Sequence, residues 1–225
     1  MRLLASGRDA DVFALSSERV LRRYRKPGRS AAAEAEVMRY AHNHGVPVPV
    51  VHDVDGRDLV MERLTGPTMA DLVRRQPWQV RREARRLGKI HRIVHEVEAP
   101  LEMRRVGPGA ALLHLDLHPE NVVVTAAGPR VIDWTNAAAG PPALDVADVW
   151  LLMSAVAVGG SRLQQAVGGR LARSFTRVFV EAAGVDFRPQ IVAAARRRLA
   201  DRNIGPVERE RMTRLAQRQG PVRDG

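Results

Sequence analysis

The stretch from Leu113 to Asp133 limits what this 225-residue chain can fold into more than any other. It reads Leu-His-Leu-Asp-Leu-His-Pro-Glu-Asn-Val-Val-Val-Thr-Ala-Ala-Gly-Pro-Arg-Val-Ile-Asp, and Trp134 follows. Asp116 and Asn121 stand five residues apart, and Asp133 ends the next apolar run. Val122 to Val124 and Val131–Ile132 read as two strands. Ala126-Ala127-Gly128 reads as a three-residue loop with glycine where a positive φ is needed. A hairpin folded about Ala127 would set Asn121 opposite Asp133, bringing an amide oxygen and a carboxylate together. Such a set, with few carboxylates, suits Mg²⁺, which keeps waters and takes other ligands from phosphates.

The pattern His114-x-Asp116-x4-Asn121 followed by Ile132-Asp133-Trp134 resembles the catalytic core of kinases. Leu117-His118-Pro119 and Asp133-Trp134 are similar to the aminoglycoside phosphotransferase and choline kinase branch, where protein kinases favour Leu-Lys-Pro and Asp-Phe-Gly. Only eleven residues separate Asp133 from Asp145, too few for a protein kinase activation segment. The resemblance covers roughly the first two thirds of the chain. It implies an α+β, bilobal protein kinase-like fold. A small antiparallel-sheet lobe would take residues 1–63, and a helical catalytic and acceptor-binding lobe residues 64–225.

The resemblance also assigns roles. Asp116 would orient the acceptor hydroxyl and take its proton, while Asn121 and Asp133 would hold Mg²⁺. His114 would fix the loop by packing. Asp145 would hold the loop through its backbone N–H groups. His118 stands where protein kinases place a phosphate-facing lysine; phosphate contact and loop support are both open to it. Residues 3–15 read as strand, turn, strand, and the Gly7 turn would lie over the nucleotide phosphates. Arg19 to Tyr24 reads as the third strand, with Val20 and Arg22 on one face. Val20 would touch the base, and Arg22 replaces the usual lysine, keeping the charge but not its geometry.

Ser30 to His44 reads as a helix with Ser30 as N-cap, an apolar stripe at Val37, Tyr40 and Ala41, and Gly45 as the stop. The resemblance implies that a glutamate of this helix pairs with Arg22: Glu34 is the expected one, and Glu36, about 200° around the helix, is the alternative. Residues 50–54 and 58–62 read as a strand pair around Asp55-Gly56. Met61 to Gly66 is similar to the hinge between kinase lobes. Met61 would sit behind the base, and backbone groups of Glu62 and Leu64 would meet the adenine edge. Thr68 caps a short helix, and Trp78 to Val97 forms a longer one with Leu87, Ile90, His91 and Val94 inward. His91 and His95 lack an obvious third ligand, so packing beside the catalytic loop is the expected use. The remainder reads as amphipathic helices broken near Gly184-Val185-Asp186, Arg188-Pro189 and Asn203-Ile204-Gly205-Pro206.

Cysteine is absent, which excludes disulfides and thiolate zinc and fits a reducing compartment. No apolar run near the N-terminus reads as a signal peptide. The longest apolar run, Val149 to Val158, is shorter than the ~20 residues that span a bilayer. A soluble cytoplasmic protein without a membrane partner is expected. The formal net charge is +11, carried almost wholly by arginine. No nucleic-acid motif accompanies it, so nucleic acid is not the expected partner. From Val149 onward six acids face fourteen arginines. The resemblance implies Mg²⁺-dependent transfer of the γ-phosphoryl of ATP, or GTP, to a small-molecule hydroxyl, and the charge excess adds the expectation that the acceptor is not polycationic. The alternatives are an inactive kinase-like nucleotide-binding module and a basic nucleic-acid-binding protein.

Overall fold

Short β-branched and aromatic runs separated by turn residues crowd the first 62 positions, and longer helical periods fill most of the rest. The structure, a computed structural model, describes residues 1–7, 9–26, 30–155, 161–201 and 204–218. In chain order the elements are β1 (Arg2–Ser6), β2 (Ala10–Ala14), β3 (Arg19–Tyr24), α1 (Ala32–Asn43), β4 (Val51–Asp55), β5 (Asp58–Glu62), α2 (Met69–Arg75) and α3 (Val80–His95). There follow β6 (Ala111–Leu113), β7 (Val122–Thr125), β8 (Gly128–Val131), β9 (Ala138–Gly140), α4 (Pro142–Ala155), α5 (Arg162–Ala183), α6 (Ile191–Leu199) and α7 (Pro206–Arg218). They gather into two units, Met1–Asp71 with Pro119–Ala137, and Leu72–His118 with Ala138–Gly225.

This division differs from the expected one at residue 63. The β7–β8 hairpin belongs with the first unit because main-chain bonds tie it there. Val131 N–H donates to the Pro47 carbonyl at 2.7 Å, and Val124 N–H to that of Pro67 at 2.9 Å.

The first unit holds a five-stranded antiparallel sheet in the order β1-β2-β3-β5-β4. Central β3 buries Val20, Leu21, Arg22 and Tyr24, so both of its faces are covered. Helix α1 buries Glu34, Ala35, Met38 and Ala41. The expected stripe through Val37 and Tyr40 is rotated, because the buried carboxylate of Glu34 shares the inner face. Ser30 is not the N-cap: its hydroxyl accepts the Ala32 N–H at 3.1 Å, while the capping position is Ala31. Gly45, at φ +81°, ends the helix as expected.

The hairpin corrects a second expectation. Val122 pairs with Val131 and Thr125 with Gly128, so the loop is Ala126-Ala127. Gly128 has the positive φ, +117°, but is the first residue of β8. Asn121 therefore lies opposite Ile132, whose N–H donates to the Asn121 carbonyl at 3.0 Å, and Asp133 is one place further on.

In the second unit, α3 lies along α5 at close range. A Cβ on Gly88 would come within 2.6 Å of Ala182 Cβ and 2.7 Å of the Phe179 carbonyl, which only glycine tolerates. The inner face of α3 carries Leu87, Ile90, His91 and Val94, as expected. Strands β6 and β9 pair Leu113 with Ala138, delivering the chain directly to His114. A Ser161–Gln164 capping box opens α5, and Gly184, at φ +69°, closes it. Val156 to Val158 of the apolar run and Asn203 of the third break lie outside the described residues. Among the described residues no helix is long and apolar enough to cross a membrane.

Candidate active site

A charge buried on a central strand needs partners, and Arg22 has two. Its Nη1 donates to Glu34 Oε1 at 2.7 Å and its Nη2 to Asp133 Oδ1 at 3.0 Å. Glu34 also accepts the Tyr24 hydroxyl at 2.5 Å and the Trp134 N–H at 3.1 Å. Burial works against the charge of Arg22, but Glu34 and Asp133 outweigh it and hold its pKa above the ordinary value. Burial pushes the Glu34 carboxyl up, against the pull of Arg22 and Tyr24. Glu36 is exposed, so the choice between the two acids is made by α1 itself.

Asp133 adopts φ +65°, the left-handed region, which costs a non-glycine residue about 1–3 kcal/mol. Its Oδ1 also accepts the Thr135 hydroxyl at 2.8 Å. Asp133 remains partly exposed while Arg22 is buried. Asp133 and Asn121, next to its neighbour Ile132, carry side-chain oxygens of the hard type that Mg²⁺ takes. Among the described residues no group of three or more His, Cys, Asp or Glu could hold a metal alone.

The other residues expected to meet the nucleotide lie in the same unit. Gly7 is exposed, and its N–H closes the β1–β2 turn on the Ala10 carbonyl at 2.9 Å; Arg8 is outside the described residues. Val20 and Met61 are cross-strand partners and both buried. Glu62 N–H donates to the Val50 carbonyl at 2.8 Å, while the Glu62 carboxylate accepts the Val50 N–H at 3.2 Å. Arg63 N–H turns the opposite way, to Glu18. Leu64 follows in the loop after β5.

The second unit carries the loop of Asp116. Asp145 of α4 is fully buried. Its Oδ2 accepts the His114 N–H at 3.0 Å, and its Oδ1 the Leu115 N–H at 2.8 Å. His95 Nε2 lies 3.1 Å from Oδ2. Burial opposes ionisation of Asp145, yet His95 and the neighbouring histidines hold its carboxyl below the usual carboxylate range. His91 packs edge-on against Phe179 at 4.9 Å, and burial pushes its pKa down to about 4. His114 is fully buried. Leu115 is forced to φ +59°; with Asp133 it forms the pair of non-glycine residues at positive φ among those described.

Asp116 is partly exposed, and His118 Nε2 lies 3.7 Å from its Oδ1. The sequence reading missed two arginines. Arg198 Nη1 lies 2.9 Å from Asp116 Oδ1. Arg197 donates to the Leu115 carbonyl at 2.6 Å and pairs with Asp148. The only sequence signal was the run Arg196-Arg197-Arg198, which reads equally well as a solvated face.

A family model described as the phosphotransferase enzyme family (APH) matches residues 1–109 and 105–183. The chain belongs to that family. Thiamine kinase of Salmonella paratyphi B is 51% identical over 41 residues, which cover 18% of this chain and only 15% of that protein. A choline/ethanolamine kinase family protein from Mesorhizobium loti superposes with a TM-score of 0.60 at 16% identity, covering 99% of this chain and 89% of that one. An aminoglycoside phosphotransferase, APH(4)-Ia, in a ternary complex with ADP and hygromycin B, gives 0.67 at 17% identity, covering 97% and 93%. The fold of this phosphotransferase-family chain is thus kinase-like, with an antiparallel-sheet part and a helical part.

Proposed function

We propose that this chain moves the γ-phosphoryl group of ATP, or GTP, to a hydroxyl of a small molecule, with Mg²⁺, in the cytoplasm. Arg22, buried between Glu34 and Asp133, carries the reading. Burying an ion network is seldom needed for stability, since apolar packing serves as well. A buried cation beside a partly exposed carboxylate suits a bound triphosphate.

In this reading Arg22 and the Gly7 turn steady the phosphates. Val20 and Met61 flank the base, and the Glu62 carbonyl and Leu64 N–H meet its edge. Asn121 and Asp133 hold Mg²⁺, which when bound neutralises charge on the phosphate oxygens. Asp116 orients the acceptor hydroxyl and takes its proton, and His118 supports that loop or contacts phosphate. His114 and Asp145 keep the loop in place. The acceptor is not polycationic, given the excess of arginine from Val149 onward.

Calorimetric titration of ATP and GTP with and without Mg²⁺ tests the nucleotide half. The parent should bind more tightly with Mg²⁺, and Asp133→Ala should lose that increment. Equal binding by both would remove Asp133 from the metal site.

A further inference from the structure

Helix α6 closes on the Asp116 loop with two consecutive arginines, and both converge on one buried acid. Asp148 of α4 is fully buried. Arg197 pairs with its Oδ2, and Arg198 Nε lies 3.6 Å from its Oδ1. Each arginine also reaches the loop: Arg197 the Leu115 carbonyl, Arg198 the Asp116 carboxylate at 2.9 Å. Three residues earlier on α4, Asp145 takes the loop's N–H groups. Leu115 is thus fixed at both its N–H and its carbonyl in a conformation a leucine avoids.

Adjacent guanidinium groups repel. Burial and the neighbouring Arg198 together bring the Arg197 pKa down to about 10. Arg198 Nε and Nη2 are buried without a hydrogen-bond partner among the described residues. Apolar residues would meet a purely structural need without such costs. The group that all this fixes is Asp116.

We infer that Arg198 is a positioning residue for Asp116 and a charge filter on the acceptor. The inference rests on the phosphotransfer reading and deepens it. The acceptor O–H gives its proton to Asp116, its oxygen bonds to the γ-phosphorus, and the bond to the nucleoside diphosphate breaks with its electron pair on the diphosphate. Arg198 holds the receiving carboxylate in one rotamer and sets a permanent positive charge beside it. A cation on the acceptor next to the reacting hydroxyl would face that charge at short range, where like charges repel strongly. The acceptor class is hydroxyl compounds that are neutral or anionic beside the reactive hydroxyl.

The test uses the full chain with Mg²⁺-ATP. Slow ATP hydrolysis, with water as acceptor, is measured for the parent, Arg198→Gln, Arg198→Lys and Arg198→Gly. We expect kcat about tenfold lower or more for Arg198→Gln at unchanged KM for ATP, partial recovery in Arg198→Lys, and rescue of Arg198→Gly by methylguanidinium. Choline and its uncharged isostere 3,3-dimethylbutan-1-ol are then compared by turnover or by competition against hydrolysis. The parent should prefer the neutral compound at least about tenfold, and Arg198→Gln should erase the preference. A parent that binds and hydrolyses ATP while Arg198→Gln matches it in kcat and selectivity overturns the inference alone. A parent that neither binds nor hydrolyses nucleotide overturns the phosphotransfer reading and the inference together.

Discussion

In the first unit one arginine is shared by two carboxylates; in the second, two arginines converge on one buried carboxylate and reach out to the loop. Arg22 joins a strand, a helix and the Asp133 turn, and a hydroxyl and a backbone N–H complete the shell of Glu34. Around Asp116 the work is divided. Asp145 takes the N–H groups of the loop, while Asp148 and its arginines take a carbonyl and the carboxylate itself. Both arrangements brace a residue at positive φ, Asp133 in one and Leu115 beside Asp116 in the other. The first centres on one cation, so a single substitution removes both of its ion pairs. The second braces from two sides, so its parts can be removed separately.

The largest expected effect breaks the second arrangement at its root. Asp145→Ala strips two buried N–H groups of their acceptor and leaves His95 without its carboxylate. A loss of about 3–5 kcal/mol is expected in denaturant unfolding. Arg22→Met breaks the first arrangement. It leaves Glu34 buried without its cation and should cost about 3–4 kcal/mol, lowered where Glu34 takes up a proton. Unlike Asp145→Ala, it should also abolish tight binding of Mg²⁺-ATP, measured by calorimetry.

His91 gives the pH dependence of the second unit. Burial brings its folded pKa down to about 4, below the ordinary imidazole value of 6.5. The unfolded chain therefore binds the extra proton first, and stability falls as pH drops from about 6.5 to about 4. The size is on the order of 3 kcal/mol. Asp145, held low, keeps its contribution above its unfolded pKa near 4 and loses it only below that, so the two can be told apart. His91→Phe should keep the contact with Phe179 and flatten the slope between pH 4 and 6.5 in chemical unfolding curves. An unchanged slope would assign it to another group.

The smallest effect separates these networks from ordinary packing. Gly88→Ala forces a methyl against the α5 backbone and should cost about 1–3 kcal/mol in thermal unfolding, with kcat unchanged.

The same contrast explains what was legible in the sequence. Strand β3 was read to its ends because it is regular, and the pairing of Arg22 with Glu34 came from the family resemblance, helix geometry only setting Glu34 apart from Glu36. Asp145 was legible through its motif. The α1 stripe was misread because hydrophobicity alone does not foresee a buried glutamate. The hairpin slipped by one residue because Gly128 supplies its positive φ inside the strand and not in the loop. Arg197 and Arg198 were illegible because Arg197 lies 82 residues from Leu115, and a tertiary ion pair at that distance leaves no local pattern.

The central claim is that the chain transfers phosphoryl groups through Asp116. The direct measurement incubates the parent and Asp116→Asn with Mg²⁺ and γ-labelled ATP against a broad panel of neutral and anionic hydroxyl compounds. The account predicts labelled product from the parent, about a hundredfold less or lower still from Asp116→Asn, and the same nucleotide affinity for both. No labelled product from the parent across the panel, or equal product from the variant, would contradict it.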